Sequence, residues 1–346
     1  MKQSEHGHAW RWARIVGANV ALVVVLLAAL ELASRQLVPT ALTEPLIVDR
    51  FESWLSSREL DPLLFWRLSE QKAPDGTVII NELGWRGAMP GAKEADEYRI
   101  LSLGESTTSA VRVPFEQTYS SVLERELGSF EGRRVRVINA GSSGYTLAQG
   151  VALLRRDGLP LEPDMVLTYF GNNDFMRVAF RARRDAAFND SSGLTDLELQ
   201  RRRRRSWARI VFWLHGQSNF VRWLQRPAEE LTVRLGRGPR VPLEDRRLLY
   251  DELRRLCSEN GVRLVVAVPI YREFDRHAVL LRELSASGEL EVIDLPAMLE
   301  LERETPADRR ALFFDKVHPR AELHQRIGVA VAGFLAANAA ASGLER

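Results

Sequence analysis

Four short stretches of the sequence carry the groups that a serine nucleophile needs. Ser106 lies in "GES", directly after the apolar run "RILSL", and Asp315 and His318 lie together in "DKVH". Gly144 ends the stretch "NAGSSG", and Asn173 lies in "GNND". In acyl transfer a serine attacks the carbonyl, a histidine takes its proton, and a carboxylate orients the imidazole. These residue types predict Ser106 as nucleophile, His318 as base and Asp315 as the orienting acid.

The oxyanion of such a reaction needs donors that are in place before charge develops. The sequence predicts three: the backbone N–H of Ser106, the backbone N–H of Gly144, and the side-chain amide of Asn173. Each stretch alone has a structural alternative, because serine caps helices well and an Asn-Asp pair is common in turns. His318 has no second His or Cys at ligand spacing, so we expect no metal, and no cofactor is predicted.

The elements that position these residues alternate between strands and helices from Tyr98 onward. Helical patterns separate five apolar strand candidates: "RILSL", "RVRVINA", "PDMVLTYF", "VRLVVAVPI" and "LEVIDL". Strands alternating with helices predict a parallel sheet with right-handed crossovers, covered on both faces. We therefore predict an α/β protein, a three-layer flavodoxin-like sandwich with a central parallel sheet of about five strands. In such sheets the reactive site lies beyond the carboxyl ends of the strands, where the first three stretches stand.

The order "GES", "NAGSSG", "GNND" and "DKVH" resembles the four blocks of the SGNH hydrolases, also called the GDSL esterase/lipase family. The resemblance extends from about Tyr98 to Ala337, apart from an insertion, and the lead-in "NELGWRG" resembles that of membrane-anchored members. It implies a Ser-His-Asp esterase with the site residues named above. One position departs from the family pattern, because Glu105 stands where an aspartate is usual.

The amino terminus holds the uncharged run Ile15 to Leu30, "IVGANVALVVVLLAAL". A membrane-spanning helix needs about 20 apolar residues, and Trp10 and Trp12 lie where interfacial aromatic residues are common. Lys2, Arg11 and Arg14 precede the run and favour a cytoplasmic amino terminus. We expect an uncleaved anchor; a cleaved signal peptide and a buried helix of a soluble domain are the alternatives. Glu31 makes "ELASRQ" a poor cleavage site.

The predicted organisation has five segments and one insertion. The segments are a cytoplasmic amino terminus (1–14), a transmembrane anchor (15–34), a lead-in (35–97), a hydrolase domain (98–338) and a tail (339–346). The insertion, 176–242, contains the run Arg201 to Arg205 and an amphipathic stretch beginning at Trp207. The arginine run is interpreted as a solvated face, with contact to an anionic lipid or glycan as the alternative. We expect the amphipathic stretch to form part of a lid.

Composition excludes several classes of protein. The 346 residues carry a net charge of +2, which gives no support for nucleic-acid binding, and the single cysteine excludes a disulfide framework. Cys257 lies on a predicted helical core face and is interpreted as a small buried hydrophobic residue. No phosphate-binding glycine loop is present, so no nucleotide is expected.

The function predicted from these observations is cleavage of an acyl ester by Ser106, His318 and Asp315. We expect a short acyl group on an extracytoplasmic glycan, with the catalytic domain tethered outside the cytoplasm. A lipid esterase or thioesterase and an O-acyltransferase of the same fold are the alternatives, because all would share the triad. A catalytically silent, anchored interaction protein is the alternative from another class. The sequence predicts no oligomeric state.

Overall fold

The computed structural model describes residues 2–38, 58–61, 63–176, 200, 218–221, 223–224, 238–271 and 277–341. Its strands are β1 (Arg58–Asp61), β2 (Phe65–Leu68), β3 (Gln71–Lys72), β4 (Val78–Ile80), β5 (Glu97–Gly104), β6 (Ser129–Phe130), β7 (Arg133–Gly141), β8 (Met165–Tyr169), β9 (Arg263–Ala267) and β10 (Glu291–Ile293). Its α-helices are α1 (Lys2–Leu37), α2 (Ser106–Ser109), α3 (Tyr119–Leu127), α4 (Leu147–Leu153), α5 (Asn172–Phe175), α6 (Leu243–Glu259), α7 (His277–Ala286), α8 (Leu295–Met298), α9 (Pro306–Ala311) and α10 (Ala321–Ala341).

The central sheet has six strands in the order β10-β9-β8-β5-β7-β6. Five of them are parallel, and β6 pairs with β7 in the antiparallel sense. The predicted mostly parallel α/β sheet is therefore confirmed, with one short edge strand added. β6 has two residues and turns into β7 through Glu131 and Gly132, both at positive φ (51° and 72°). A two-residue strand is too short to show a period of two, so no hydrophobic pattern could predict it.

Helices cover both faces of this sheet and make it the middle of three layers. On one face the core includes residues of α4, α6 and α7, among them Leu147, Leu253 and Leu281. On the other face it includes residues of α3 and α10, among them Leu123 and Leu335. All eight residues of β5 are buried, as expected for a strand that lies between two neighbours and two helical layers.

The lead-in forms two antiparallel hairpins, β1–β2 and β3–β4. Trp66 and Trp85 of this segment are each 1% exposed and belong to the core. The Tyr145 hydroxyl donates to the Trp66 carbonyl, and Gln149 of α4 donates to the Leu64 carbonyl. These bonds join the lead-in to the segment that carries Gly144.

The amino-terminal helix α1 contains 24 residues, Arg14–Leu37, that are long and apolar enough to cross a membrane, and none of its most apolar stretch is buried. A signal sequence would have the same properties. Near its carboxyl end, Glu31 accepts hydrogen bonds from Ser218 Oγ (2.6 Å) and from the N–H groups of Asn219 and Phe220 (3.1 Å each). This end of α1 therefore contacts the insertion.

Most of the insertion, including Arg201 to Arg205 and the amphipathic stretch that begins at Trp207, lies outside the described residues. Within the described part, Gln200 is buried and donates to the carbonyls of Leu63 and Ala148 (3.3 and 3.0 Å). Cys257 is buried as predicted, and burial raises the pKa of its thiol to about 12.

The packing of α10 on α3 predicts opposite effects for two glycines of the same helix. A Cβ on Gly328 would lie 2.5 Å from Val122 Cβ and Cγ1, whereas a Cβ on Gly333 would meet nothing within 4 Å. Gly328→Ala should therefore lower the free energy of unfolding by about 1–3 kcal/mol through overpacking. Gly333→Ala, the matched control, should raise it by about 0.5–1 kcal/mol through helix propensity. Urea unfolding of both variants checks this; equal effects would contradict the close packing.

Candidate active site

Ser106 lies at a corner where β5 ends and α2 begins, and this corner has no room for extra atoms. A Cβ on Gly104 would lie 2.0 Å from Thr108 Oγ1 and 2.8 Å from the Tyr169 carbonyl. A Cβ on Gly141, at the end of the neighbouring strand β7, would lie 2.2 Å from the Ser109 nitrogen. Glycine at both strand ends lets α2 lie directly against the sheet.

Buried hydrogen bonds hold α2 in this position. Thr108 Oγ1 lies 2.7 Å from the Tyr119 hydroxyl, which also accepts a bond from Ser102 Oγ (2.9 Å). The Asn139 amide donates to the Thr108 carbonyl (2.7 Å). These contacts join β5, β7, α2 and α3, so the nucleophile candidate lies on a rigid part of the fold.

Asp315 and His318 lie on one turn between α9 and α10. Asp315 Oδ1 accepts the backbone N–H groups of Val317 (2.9 Å) and His318 (3.0 Å), which folds the turn around the carboxylate. The Phe314 N–H donates to the His318 carbonyl (2.9 Å) and closes the turn. Partial burial alone would raise the pKa of Asp315, but hydrogen bonds from Val317 and His318 outweigh it and lower the pKa.

The three residues predicted to act together are in contact. His318 Nε2 lies 2.9 Å from Ser106 Oγ, and His318 Nδ1 lies 2.8 and 2.9 Å from the two carboxylate oxygens of Asp315. With the proton on Nδ1, the imidazole donates to Asp315 and leaves Nε2 as the acceptor for the serine hydroxyl. This arrangement can deprotonate Ser106 and stabilise the resulting imidazolium.

A small cavity of about 50 Å³ opens beside these groups. It is lined by Ser106, Thr107, Ala110, Val111, Arg112, Val113, Ser143, Phe314, His318, Pro319 and His324. His324 is buried beneath Tyr119, whose N–H donates to its Nδ1 (3.3 Å), and burial lowers the pKa of the imidazole to about 4. His324 therefore stays neutral near pH 7.

The three predicted oxyanion donors differ in what they contact. Within the described part of the chain, the backbone N–H groups of Ser106 and Gly144 donate to no protein acceptor, and Gly144 adopts a φ of 87°. The Asn173 amide donates to Glu105 Oε2 (2.7 Å) and to the Tyr145 carbonyl (3.0 Å). Both hydrogens of the Asn173 amide therefore have acceptors already. These acceptors belong to Glu105 and Tyr145, which are the chain neighbours of Ser106 and Gly144, so the amide lies between these two stretches.

Glu105 forms the centre of a buried polar cluster. It is 1% exposed, its Oε2 accepts the Asn173 N–H (3.2 Å) as well as the Asn173 amide, and its Oε1 accepts the Tyr271 hydroxyl (2.9 Å). Burial raises the pKa of Glu105 to about 8, and the nearby charge of Asp174 acts in the same direction. The longer side chain at this position thus connects the nucleophile corner to the turn that carries Asn173.

Sequence reasoning missed Arg240, which holds the loop that carries Gly144. Its side chain is 2% exposed, and its guanidinium donates to the Gly144 carbonyl (2.9 Å) and to Gln149 Oε1 (3.0 Å) over the Trp66 ring. Arg240 is one of many arginines in the insertion, so nothing in the sequence distinguishes it. Tyr271 was also missed, although it follows the end of β9 and the strand-end rule would have found it.

Comparison with known proteins places this arrangement in a family. The model of the GDSL-like lipase/acylhydrolase family matches residues 102–326, well over half of the chain. The chain belongs to this family. The matched range includes Ser106, Gly144, Asn173, Asp315 and His318, so the resemblance identified from the sequence is confirmed at the level of the family.

Individual relatives of this GDSL-family chain are distant. An arylesterase of Vibrio mimicus is 35% identical over 89 residues, which is 26% of this chain and 44% of that protein. The match therefore spans less than half the length of this curated relative.

Among solved structures, LAE5, an alpha/beta hydrolase enzyme from the metagenome of Lake Arreo, Spain, is 19% identical with a TM-score of 0.44, over 69% of this chain and 95% of that chain. Axe2, an acetylxylan esterase from Geobacillus stearothermophilus, is 18% identical with a TM-score of 0.42, over 71% of this chain and 95% of that chain.

The raised pKa of Glu105 predicts a loss of stability as the pH rises. Glutamate ordinarily titrates near 4.5, whereas folded Glu105 titrates near 8, so between these values the unfolded chain binds fewer protons than the folded chain. The free energy of unfolding should therefore fall across this window. Glu105→Gln cannot ionise and should flatten the decline, as measured by urea unfolding at pH 5, 6.5 and 8. An identical slope in wild type and variant would contradict the assignment.

Proposed function

We propose that this GDSL-family chain is an esterase that cleaves an acyl ester with Ser106 as nucleophile, His318 as base and Asp315 as the orienting acid. The observation that carries this proposal is the continuous hydrogen-bond path from Ser106 Oγ through His318 to Asp315, with 2.9 and 2.8 Å steps. The partial match to an arylesterase supports an ester as substrate.

Hydrolysis proceeds in two halves. In the first, His318 Nε2 takes the hydroxyl proton as Ser106 Oγ attacks the ester carbonyl, and the imidazolium then returns the proton to the departing alkoxide. An acyl-serine remains. In the second half, His318 deprotonates a water that attacks this acyl group, and the proton returns to Ser106 as the free acid leaves.

The oxyanion formed in each half faces the amino end of α2 and the Gly144 loop. The N–H groups of Ser106 and Gly144 have no protein acceptor among the described residues, so they are available to donate to the oxyanion. Both belong to parts of the chain that are held by buried contacts. The Asn173 amide is the third donor. In the free enzyme it donates to Glu105 and to the Tyr145 carbonyl, and in the reaction it shares one of these hydrogens with the oxyanion. The two backbone donors are fixed in advance and can stabilise the transition state without reorganisation.

The acyl group of the proposed substrate is short, and the proposed position of the domain, tethered outside the cytoplasm, favours a glycan as its carrier. The cavity beside Ser106 is small, about 50 Å³, and has room for an acetyl group. This size favours a short-chain ester over the lipid esters that were the alternative.

The hydrolase domain, 98–338, is anchored by α1 with the amino terminus in the cytoplasm and the domain on the far side of the membrane. The apolar part of α1 is exposed along its length, and Trp12 lies at its start, as expected for a helix that contacts lipid. Residues 218–220 of the insertion contact Glu31, so in this arrangement part of the insertion lies beside the end of the proposed anchor.

Ser106→Ala tests the nucleophile, and a second serine of α2 provides the matched control. Loss of a triad member costs about a thousandfold or more in turnover, so Ser106→Ala should abolish hydrolysis of p-nitrophenyl acetate while its unfolding midpoint stays unchanged. Ser109→Ala should keep nearly full activity, because the buried Ser109 Oγ has no hydrogen-bond partner among the described residues. Wild-type rates in Ser106→Ala would refute the triad.

Fractionation of cells tests the anchor. The full-length protein should remain in the membrane pellet after washing with high salt and with alkali, because apolar burial of about 20 residues is insensitive to both. Mass spectrometry of the pelleted protein should detect peptides from residues 2–14. A soluble chain that begins near Ser34 would replace the anchor with a cleaved signal peptide.

A further inference from the structure

Arg112 lies at the mouth of the cavity beside Ser106. Among the described residues that line this cavity, it is the one that carries a permanent charge. Its side chain is 53% exposed, and its Nη1 donates to Asp315 Oδ2 (3.2 Å). A guanidinium has five N–H donors, so this single bond leaves donors directed to solvent at the entrance of the cavity.

The position of Arg112 is fixed by its loop and by an aromatic ring. Ala110 ends α2 in the left-handed region (φ 46°), and the Val113 N–H donates back to the Ala110 carbonyl (3.0 Å). The buried Arg86 donates to the Val113 carbonyl (3.0 Å). The guanidinium of Arg112 then lies 4.3 Å from the centre of the Phe314 ring. An exposed arginine held at both ends in this way loses little entropy on binding a ligand.

The ion pair with Asp315 does not by itself explain this arrangement. Arg112 and Asp315 are 53% and 42% exposed, and ion pairs this exposed contribute about 0–1 kcal/mol to stability. Arg112 is the one permanently charged residue among the described residues that line the cavity. Its half-exposed guanidinium attracts anions to the cavity mouth.

We propose that Arg112 binds an anionic group of the substrate, so that the preferred ester is a short acyl group on an acidic sugar such as a uronic acid. A carboxylate near the acylated hydroxyl would accept two parallel N–H bonds from the guanidinium. The inference rests on the proposed esterase function and adds the charge of the substrate to it.

A pair of esters with matched leaving groups measures this preference. Phenyl acetate is neutral and 3-acetoxybenzoate is anionic, and the ratio of their kcat/KM values cancels effects that Arg112 exerts on both through Asp315. Arg112→Ala should lower the anionic-to-neutral ratio about five- to tenfold, as expected for a charge-assisted bond at a half-exposed site. Arg112→Lys should lower this ratio less, because lysine keeps the positive charge although it loses the bidentate geometry.

Arg320→Ala is the matched control. Arg320 stacks on the same Phe314 ring at 4.5 Å and is exposed, but it is absent from the cavity lining. Its removal deletes the same charge and should leave the ratio within about twofold, because Arg320 does not line the cavity and offers no hydrogen bond to a group bound there. An equal fall of the ratio in both arginine variants, or no fall in Arg112→Ala, would overturn the inference.

A sugar pair tests the assignment to an acidic glycan. Acetylated methyl glucuronoside should be cleaved faster than acetylated methyl glucoside, and Arg112→Ala should remove the difference. Preferential cleavage of dihexanoylphosphatidylglycerol in place of the uronoside would overturn the sugar and assign the anion to a lipid headgroup. Failure to cleave any ester, with Ser106 and His318 intact, would instead refute the proposed function. If both aromatic esters are cleaved and Arg112→Ala leaves their kcat/KM ratio unchanged, this inference alone is refuted.

Discussion

The arrangement of the site depends on how closely α2 approaches the carboxyl ends of β5 and β7. Two glycines, Gly104 and Gly141, leave no space for a Cβ at this contact, and the buried Thr108–Tyr119 hydrogen bond fixes α2 there. Ser106 Oγ is therefore directed at the turn that carries His318 before any substrate arrives. In the proposed mechanism the nucleophile and the two backbone donors are in place in advance, so little reorganisation of these groups is needed when the oxyanion forms.

Glu105 and Arg240 hold the two sides of the proposed oxyanion region. Glu105 reaches the turn of Asn173 with its longer side chain, and Arg240 holds the carbonyl of Gly144 from the end of the insertion. Burial of an ionisable carboxyl among polar groups has a cost, since it raises the pKa of Glu105 to about 8. In return, the Glu105 side chain joins three parts of the fold. It starts at the nucleophile corner, reaches the Asn173 turn, and accepts a bond from Tyr271, which follows β9.

The sequence predicts the alternating strands and helices and the residues that follow the strand ends. Five buried strands gave apolar runs long enough to detect, and the residues after them led to Ser106, Gly144 and Asn173. Arg112 and Arg240 were not predictable, because their importance arises from contacts across 203 and 96 residues of sequence. The acceptors of the Asn173 amide were equally hidden, since they depend on how far Glu105 extends into the core. The arginine run of the insertion stays a prediction.

Trapping the acyl-enzyme tests the central claim most directly. Enzyme mixed with excess p-nitrophenyl acetate, quenched in acid within the first turnovers and digested, should yield the peptide of Ser106 carrying one acetyl group. His318→Ala should prevent its formation, because no other group contacts Ser106 Oγ as a base among the described residues. An acetyl group on a different residue, or hydrolysis without any acetylated serine, would contradict the account.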